Sequence, residues 1–186
     1  MNEDRYLTQA GGNLVKHFES CMKRVADDQF AAYKCPANVL TIGWGHTGHH
    51  GRKFDASTRW TASECDEAFY EDMATFERAV RKHVRVPLTD YQFDALVSFT
   101  YNVGEGALAK STLLKHVNAG KFDLAALEFK RWNKANGKVL AGLTRRRASE
   151  ALLFQNIPDL NYDGKADPKP SPHAMPQAVD NPEDRI

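Results

Sequence analysis

Nowhere in the 186 residues does an apolar run approach the roughly 18 that a membrane-spanning helix needs. The first fifteen residues, MNEDRYLTQAGGNLV, also lack the long apolar core of a secretion signal. No transmembrane segment and no Sec-type export are therefore expected. Cysteine is scarce. Cys21, Cys35 and Cys65 are an odd number with no CxxC among them, which excludes a disulfide framework, a zinc ribbon and a thioredoxin-type motif. At most one pair could close. Charge of one sign is missing too: 25 Lys and Arg against 24 Asp and Glu leave a net charge of +1, which argues against a nucleic-acid partner. Proline is almost confined to one end, with six of the eight between Pro158 and Pro182.

What is present describes one ordinary domain with a tail. Hydrophobic residues make up 42% and aromatics 10% of the chain, enough for a core. The stretch from Asp163 to Ile186 has almost no large apolar residue and cannot offset its ordering entropy by burial. Residues 1–157 are thus read as the folded domain, and 158–186 as an extended or disordered Pro-rich tail. Helical periodicity dominates before the tail. A first helix is expected over about residues 3–21, with Leu7, Leu14, Val15 and Phe18 on one face and Gly11-Gly12 interrupting it. Thr61 with Glu64 and Thr89 with Gln92 have capping-box spacing, opening a helix to about Val84 and a buried one carrying Phe93, Leu96, Val97 and Tyr101. Further helices are expected over about 106–118, 123–133 and 143–154.

Residues 30–54, rich in Gly, aromatic and β-branched residues, read as a small antiparallel sheet of two or three short strands. Segregated strands and helices give an α+β fold, a β-region joined to a mostly helical lobe with a ligand-sized cleft between them.

Glu19 ends the first helix as Phe18-Glu19-Ser20-Cys21. A carboxyl against aromatic side chains loses water, its pKa rises, and it can then serve as a general acid. Glycoside cleavage needs such a proton on the leaving oxygen. Residue type alone does not single Glu19 out from the other carboxylates; a surface helical glutamate reads the same way. His46, His49 and His50 form HxxHH, but a catalytic zinc needs three ligands in defined geometry, and no metal or other cofactor is expected. Gly43 and Gly45 lack the strand–GxGxxG–helix context of a phosphate cradle.

Phe18-Glu19, Ala32-Tyr33-Lys34-Cys35 and Thr41-Ile42-Gly43-Trp44-Gly45-His46-Thr47 resemble the front half of the phage-type lysozymes, glycoside hydrolase family 24. Pro87-Leu88-Thr89, the run Gln92 to Phe99, Asn102-Val103-Gly104, Ser111 to Leu114, Asn118-Ala119-Gly120, Arg131-Trp132 and Gly142-Leu143 with Arg145-Arg146-Arg147 continue the likeness. It spans roughly residues 14–154. The resemblance implies a lysozyme-like fold and an endolysin hydrolysing the β-1,4 bond between N-acetylmuramic acid and N-acetylglucosamine.

The family's catalytic Glu, Asp or Cys, and Thr carry over to Glu19 as general acid, Cys35, and Thr41 as the water-positioning residue. Two departures stand out. Cys35 replaces the commoner Asp, and a thiol with its ordinary pKa of about 8.5 is a poor base. Fifteen residues separate Glu19 from Cys35, more than in the family, so an insertion falls at about residues 22–29. Counted without a gap, Asp28 takes the Asp position; the spacing of Tyr33 and Thr41 favours Cys35.

The resemblance further implies that Arg146, or a neighbour in the Arg145–Arg147 run, approaches the Glu, and that His46 fixes its loop by a hydrogen bond. Asn102 and Trp132 are candidates for the cleft wall, and each reads equally well as core or cap. A solvated arginine face is the alternative for the run, and would suit an anionic outer-membrane surface. The expected partner is the peptidoglycan glycan strand, met by a monomer that waits in the host cytoplasm until a separate holin opens the way to the wall. The rival readings are a lytic transglycosylase leaving 1,6-anhydromuramic ends and a non-enzymatic protein that disrupts wall or membrane.

Overall fold

The computed structural model describes residues 2–19, 23–35, 38–48 and 51–167. Helix α1 runs over Gln9–Phe18 and starts later than periodicity suggests, because Thr8 is its N-cap and accepts from the Ala10 N–H. Leu7 is buried just ahead of it. The Gly11-Gly12 pair does not interrupt the helix. It lets the helix approach its neighbours: a Cβ on Gly11 would stand 2.6 Å from Asp94 Cγ and from Leu7 Cδ1, and one on Gly12 would stand 2.8 Å from Tyr70 Oη. Asp94 holds the crossing. It accepts from the Thr8 N–H at 2.9 Å and from the Thr8 hydroxyl at 2.5 Å. Burial raises its pKa, and the bonds from Thr8 and Gly11 oppose that rise.

The β-region is larger than expected and is split in two. Strands β1 (Arg24–Ala26), β2 (Gln29–Ala31) and β5 (Arg59–Trp60) form one antiparallel sheet in the order β1-β2-β5. Strands β3 (Tyr33–Lys34) and β4 (Leu40–Thr41) form a separate hairpin with Tyr33 opposite Thr41. The inserted stretch near residues 22–29 supplies β1 and its turn into β2, pairing Arg24 with Phe30. A small apolar cluster of Phe30, Ala32, Ile42, Trp60, Cys65 and Ala68 binds this region to the helices.

Both capping boxes are present, at the start of α2 (Ala62–His83) and of α3 (Asp90–Val103). Helix α3 is the axis of the lobe, buried continuously from Phe93 to Thr100. Tyr101 is only partly buried, packed against the core's edge. The expected runs over 106–118 and 123–133 each divide. Ser111 caps a new start between α4 (Glu105–Lys110) and α5 (Thr112–Asn118). A 3₁₀ turn, Phe129–Trp132, follows α6 (Phe122–Glu128). An unexpected hairpin, β6 (Lys134–Ala135) with β7 (Lys138–Val139), turns at Asn136-Gly137 with φ of 50° and 75°, the left-handed pair that a tight hairpin needs. Helix α7 (Ala141–Phe154) then packs along α3.

Residues 158–167 continue onto this body, past the expected domain boundary at 157. The Asp167 N–H donates to the Pro158 carbonyl at 2.8 Å, and Asp159 accepts from the N–H groups of Asp163 and Gly164. The rest of the expected tail, 168–186, lies outside the described residues.

The α1–α3 crossing generates a prediction. Helix propensity alone favours Gly11→Ala by about 1 kcal/mol, whereas overpacking costs about 1–3 kcal/mol. We expect the urea midpoint of Gly11→Ala to fall; a raised midpoint would mean that the helices separate freely.

Candidate active site

Glu19 is the C-cap of α1, and its N–H donates back to the Val15 and Lys16 carbonyls. Its side chain, 26% exposed, projects into a cavity of about 1190 Å³. The far wall is α7. Arg146 Nη1 lies 2.6 Å from Glu19 Oε1, joining residues 127 apart in sequence. The Arg146 guanidinium is buried between the rings of Phe18 and Tyr101, 5.7 Å from each centroid.

Behind Arg146 stands a group that the sequence did not advertise. Glu150 is fully buried, and its Oε1 accepts from Arg146 Nε at 3.2 Å, Arg147 Nη2 at 3.0 Å and the Ser98 hydroxyl at 2.8 Å. Arg147, also fully buried, donates to Asn102 Oδ1 at 3.0 Å and lies over the Phe99 ring. Burial pulls its pKa down, while Glu150 opposes that shift. The arginine run is therefore not a solvated basic face. Arg145 alone is exposed, so the support the run was expected to lend for an anionic outer-membrane surface falls away. The run sits in the second turn of α7, past the unsatisfied N–H groups of the helix start, where the opposition of the helix dipole to cations is weaker.

The cavity's other side comes from the glycine-rich loop. Trp44 lines it and donates its indole N–H to Asp66 at 2.6 Å. Lys16 pairs with the same Asp66 oxygen at 2.7 Å and lies over the Trp44, Phe69 and Tyr70 rings. Gly45, at φ +101°, brings the loop so close to α3 that a Cβ there would sit 3.1 Å from Tyr101 Oη. His46 locks the loop as expected, with Nδ1 2.8 Å from Asp72 and Nε2 2.7 Å from the Arg52 carbonyl. With both nitrogens engaged, it is poorly placed to ligate a metal. His49 and His50 lie outside the described residues, as does Cys21. Cys65 is a packing residue. Burial, then the charges of Asp66 and Glu64, push its thiol up to about 11.

The structure brings together Glu19, Arg146 and Asn102, all lining the cavity. Thr41 and Cys35 do not line it; they stand on the β3–β4 hairpin next door. Thr41 is buried and donates its hydroxyl to the Val39 carbonyl at 3.1 Å. Cys35 is half-buried, with its N–H on the same carbonyl at 3.0 Å. Tyr101 packs against the Arg146 guanidinium; burial and then the charge of Glu19 raise the pKa of its phenol, while Arg146 opposes the rise. Asp28 is spent elsewhere, its carboxylate accepting the Ala62 N–H at the start of α2. Trp132 takes the core alternative: it packs edge-on against Phe99 at 5.3 Å, partly buried against the core, and does not line the cavity.

The profile of the Phage lysozyme family matches residues 16–150. This chain belongs to that family. It is 41% identical to the endolysin of Bacillus phage PZA over 94% of its own length, and 42% identical to that of Bacillus phage B103 over 80%. The chain spans 65% and 53% of the length of those two relatives. A solved P22 lysozyme superposes with a TM-score of 0.70 at 33% identity, covering 81% of this chain and 98% of that one. The lysozyme fold thus accounts for the helical lobe, the small sheets and the cleft.

The buried charges generate the prediction here. Removing one partner of a buried pair costs about 3–5 kcal/mol, so Glu150→Gln, which leaves two buried guanidinium groups short of a counter-charge, should lower unfolding free energy by about that much in urea titrations. A change under about 1 kcal/mol would show that water reaches the cluster and screens it.

Proposed function

We propose that this member of the phage lysozyme family is an endolysin that hydrolyses the β-1,4 bond between N-acetylmuramic acid and N-acetylglucosamine in peptidoglycan. The observation that carries the reading is Glu19, held at the mouth of a large open cavity by an arginine from the far end of the chain. A glycosidic oxygen leaves readily only when protonated, because the transition state is oxocarbenium-like. Glu19 gives that proton. The Arg146 guanidinium aims that carboxyl, and Glu150 holds the guanidinium from its other edge.

Thr41 positions the attacking water. Its proton is committed to the Val39 carbonyl, so towards water it acts as an acceptor. It then holds water by an O–H bond and leaves a lone pair free to attack the anomeric carbon. Cys35 fills the position usually taken by Asp and orients the same water. That assignment is supported by the capping role of Asp28, whose carboxylate already holds α2. Asn102 and His46 act as supports, through Arg147 and through the loop. No helix among the described residues is long and apolar enough to cross a membrane. We place the protein in the host cytoplasm until lysis, with a separate holin admitting it to the wall.

The test is turbidity loss of outer-membrane-stripped Gram-negative cells, with product analysis by mass spectrometry. General acid catalysis contributes about 10²–10⁴-fold, so Glu19→Gln should slow clearing by that factor, and wild-type products should carry reducing muramic ends. Equal clearing by Glu19→Gln would move the activity to wall or membrane disruption. Anhydro ends would keep Glu19 as the acid but make the protein a lytic transglycosylase. In the same assay Cys35→Ala should slow clearing and Asp28→Asn should leave it near wild type. The reverse order would return the second catalytic position to Asp28.

A further inference from the structure

The cavity that holds Glu19 is walled partly by residues beyond the family match, which stops at 150. Leu160 and Tyr162, on the segment after α7, line the same cavity as Glu19 and Lys16. Leu160 is 79% exposed, the most exposed of the large hydrophobic side chains among the described residues. Tyr162 has a left-handed backbone, φ +54°, a conformation that costs a bulky residue energy unless the surroundings impose it. Its ring meets His17 at 4.9 Å, and His17 stands edge-on to Phe18 at 5.0 Å, next to Glu19 in sequence. A continuous row of rings therefore runs from the catalytic end of α1 to this segment.

The segment is fastened at several points. Asp159 accepts from the N–H groups of Asp163 and Gly164 at 3.1 and 3.2 Å, and Asp167 accepts from the Leu160 N–H at 2.6 Å. Gly164, at φ +81°, lies so close to α7 that a Cβ would come within 2.7 Å of Ala148. The polar groups thus fix the backbone while the two apolar side chains line the open cavity.

We propose that residues 158–167 form a substrate-binding wall, in which Leu160 and Tyr162 hold a sugar ring of the glycan strand away from the bond being cut. The proposal rests on the lysozyme reading. A pyranose offers one face of C–H groups and a rim of hydroxyls. An apolar side chain beside a phenol suits that mixture, the ring packing on the C–H face and the Tyr162 hydroxyl reaching the rim. The wall would lengthen the bound stretch of glycan without touching the reacting atoms. It therefore acts on binding and not on the chemical step.

The experiment measures kcat and KM on purified peptidoglycan for wild type, Leu160→Ser and Tyr162→Ser. Sedimentation of each protein with the same peptidoglycan gives a binding readout that needs no turnover. Loss of one such contact should raise KM about tenfold, leave kcat near wild type and weaken sedimentation in step. Leu160→Ser should melt with wild type because its side chain already faces solvent, so its result is free of folding effects. Unchanged KM and unchanged sedimentation in both variants would overturn the wall. So would a fall in kcat at constant KM. If wild type leaves peptidoglycan uncut, the lysozyme reading fails by itself, and the sedimentation comparison still decides whether this segment grips glycan.

Discussion

Where α7 passes behind α1 and α3, two guanidinium groups and one carboxylate are sealed from water, and a second carboxylate closes the set from the cleft side. Everything about the site depends on that arrangement. Glu150 cannot be buried alone, because an isolated charge in the interior costs far more than the stability of a domain. Arg146 and Arg147 supply the counter-charge, and Ser98 fills out the remaining acceptor capacity of the same oxygen. The geometry that pairs Glu150 Oε1 leaves one edge of Arg146 pointing outward, and that edge meets Glu19. The carboxyl in the cleft is thus aimed by the demands of a carboxyl in the core.

The second constraint is the crossing of α1 and α3. Glu19 reaches Arg146 only because α1 lies against α3 closely enough to exclude a side chain at Gly11. Asp94 sets the height of the crossing by receiving both donors of Thr8. From that anchor to the C-cap the helix is a rigid rod of ten residues, so its far end is placed by its near end. The glycine-rich loop is fixed by a separate device, the two hydrogen bonds of the His46 ring. The two halves of the cleft are therefore positioned independently and meet at Tyr101.

Much of this was legible in the sequence, for reasons that can be named. Thr61 with Glu64 and Thr89 with Gln92 carry their start signals in four residues, so local chemistry decides. The separated motifs around Glu19, Thr41 and the arginine run pointed to the lysozyme fold, and the run's middle arginine does meet the glutamate. Glu150 was invisible. An acid four residues from an arginine on a helix reads as an exposed ion pair, and only packing against α3 buries it. Trp132 reads equally as cleft wall or core in the sequence, because an aromatic residue beside Arg131 says nothing about which side of a 3₁₀ turn it occupies. Residues 158–167 were taken as tail because they bury little, yet they are ordered by carboxylates gripping backbone N–H groups. The Asn136-Gly137 hairpin did carry its signal, but two-residue strands are too short to show alternation.

The separation of 127 positions between Glu19 and Arg146 has a consequence in time. A growing chain exposes α1 well before α7. Until α7 docks, Glu19 has no guanidinium to aim it, and Leu143, Arg145 and Arg146 are missing from the cavity wall. The pair of Glu19 and Arg146 therefore forms only after α7 has been made, and a polypeptide interrupted before α7 lacks it altogether.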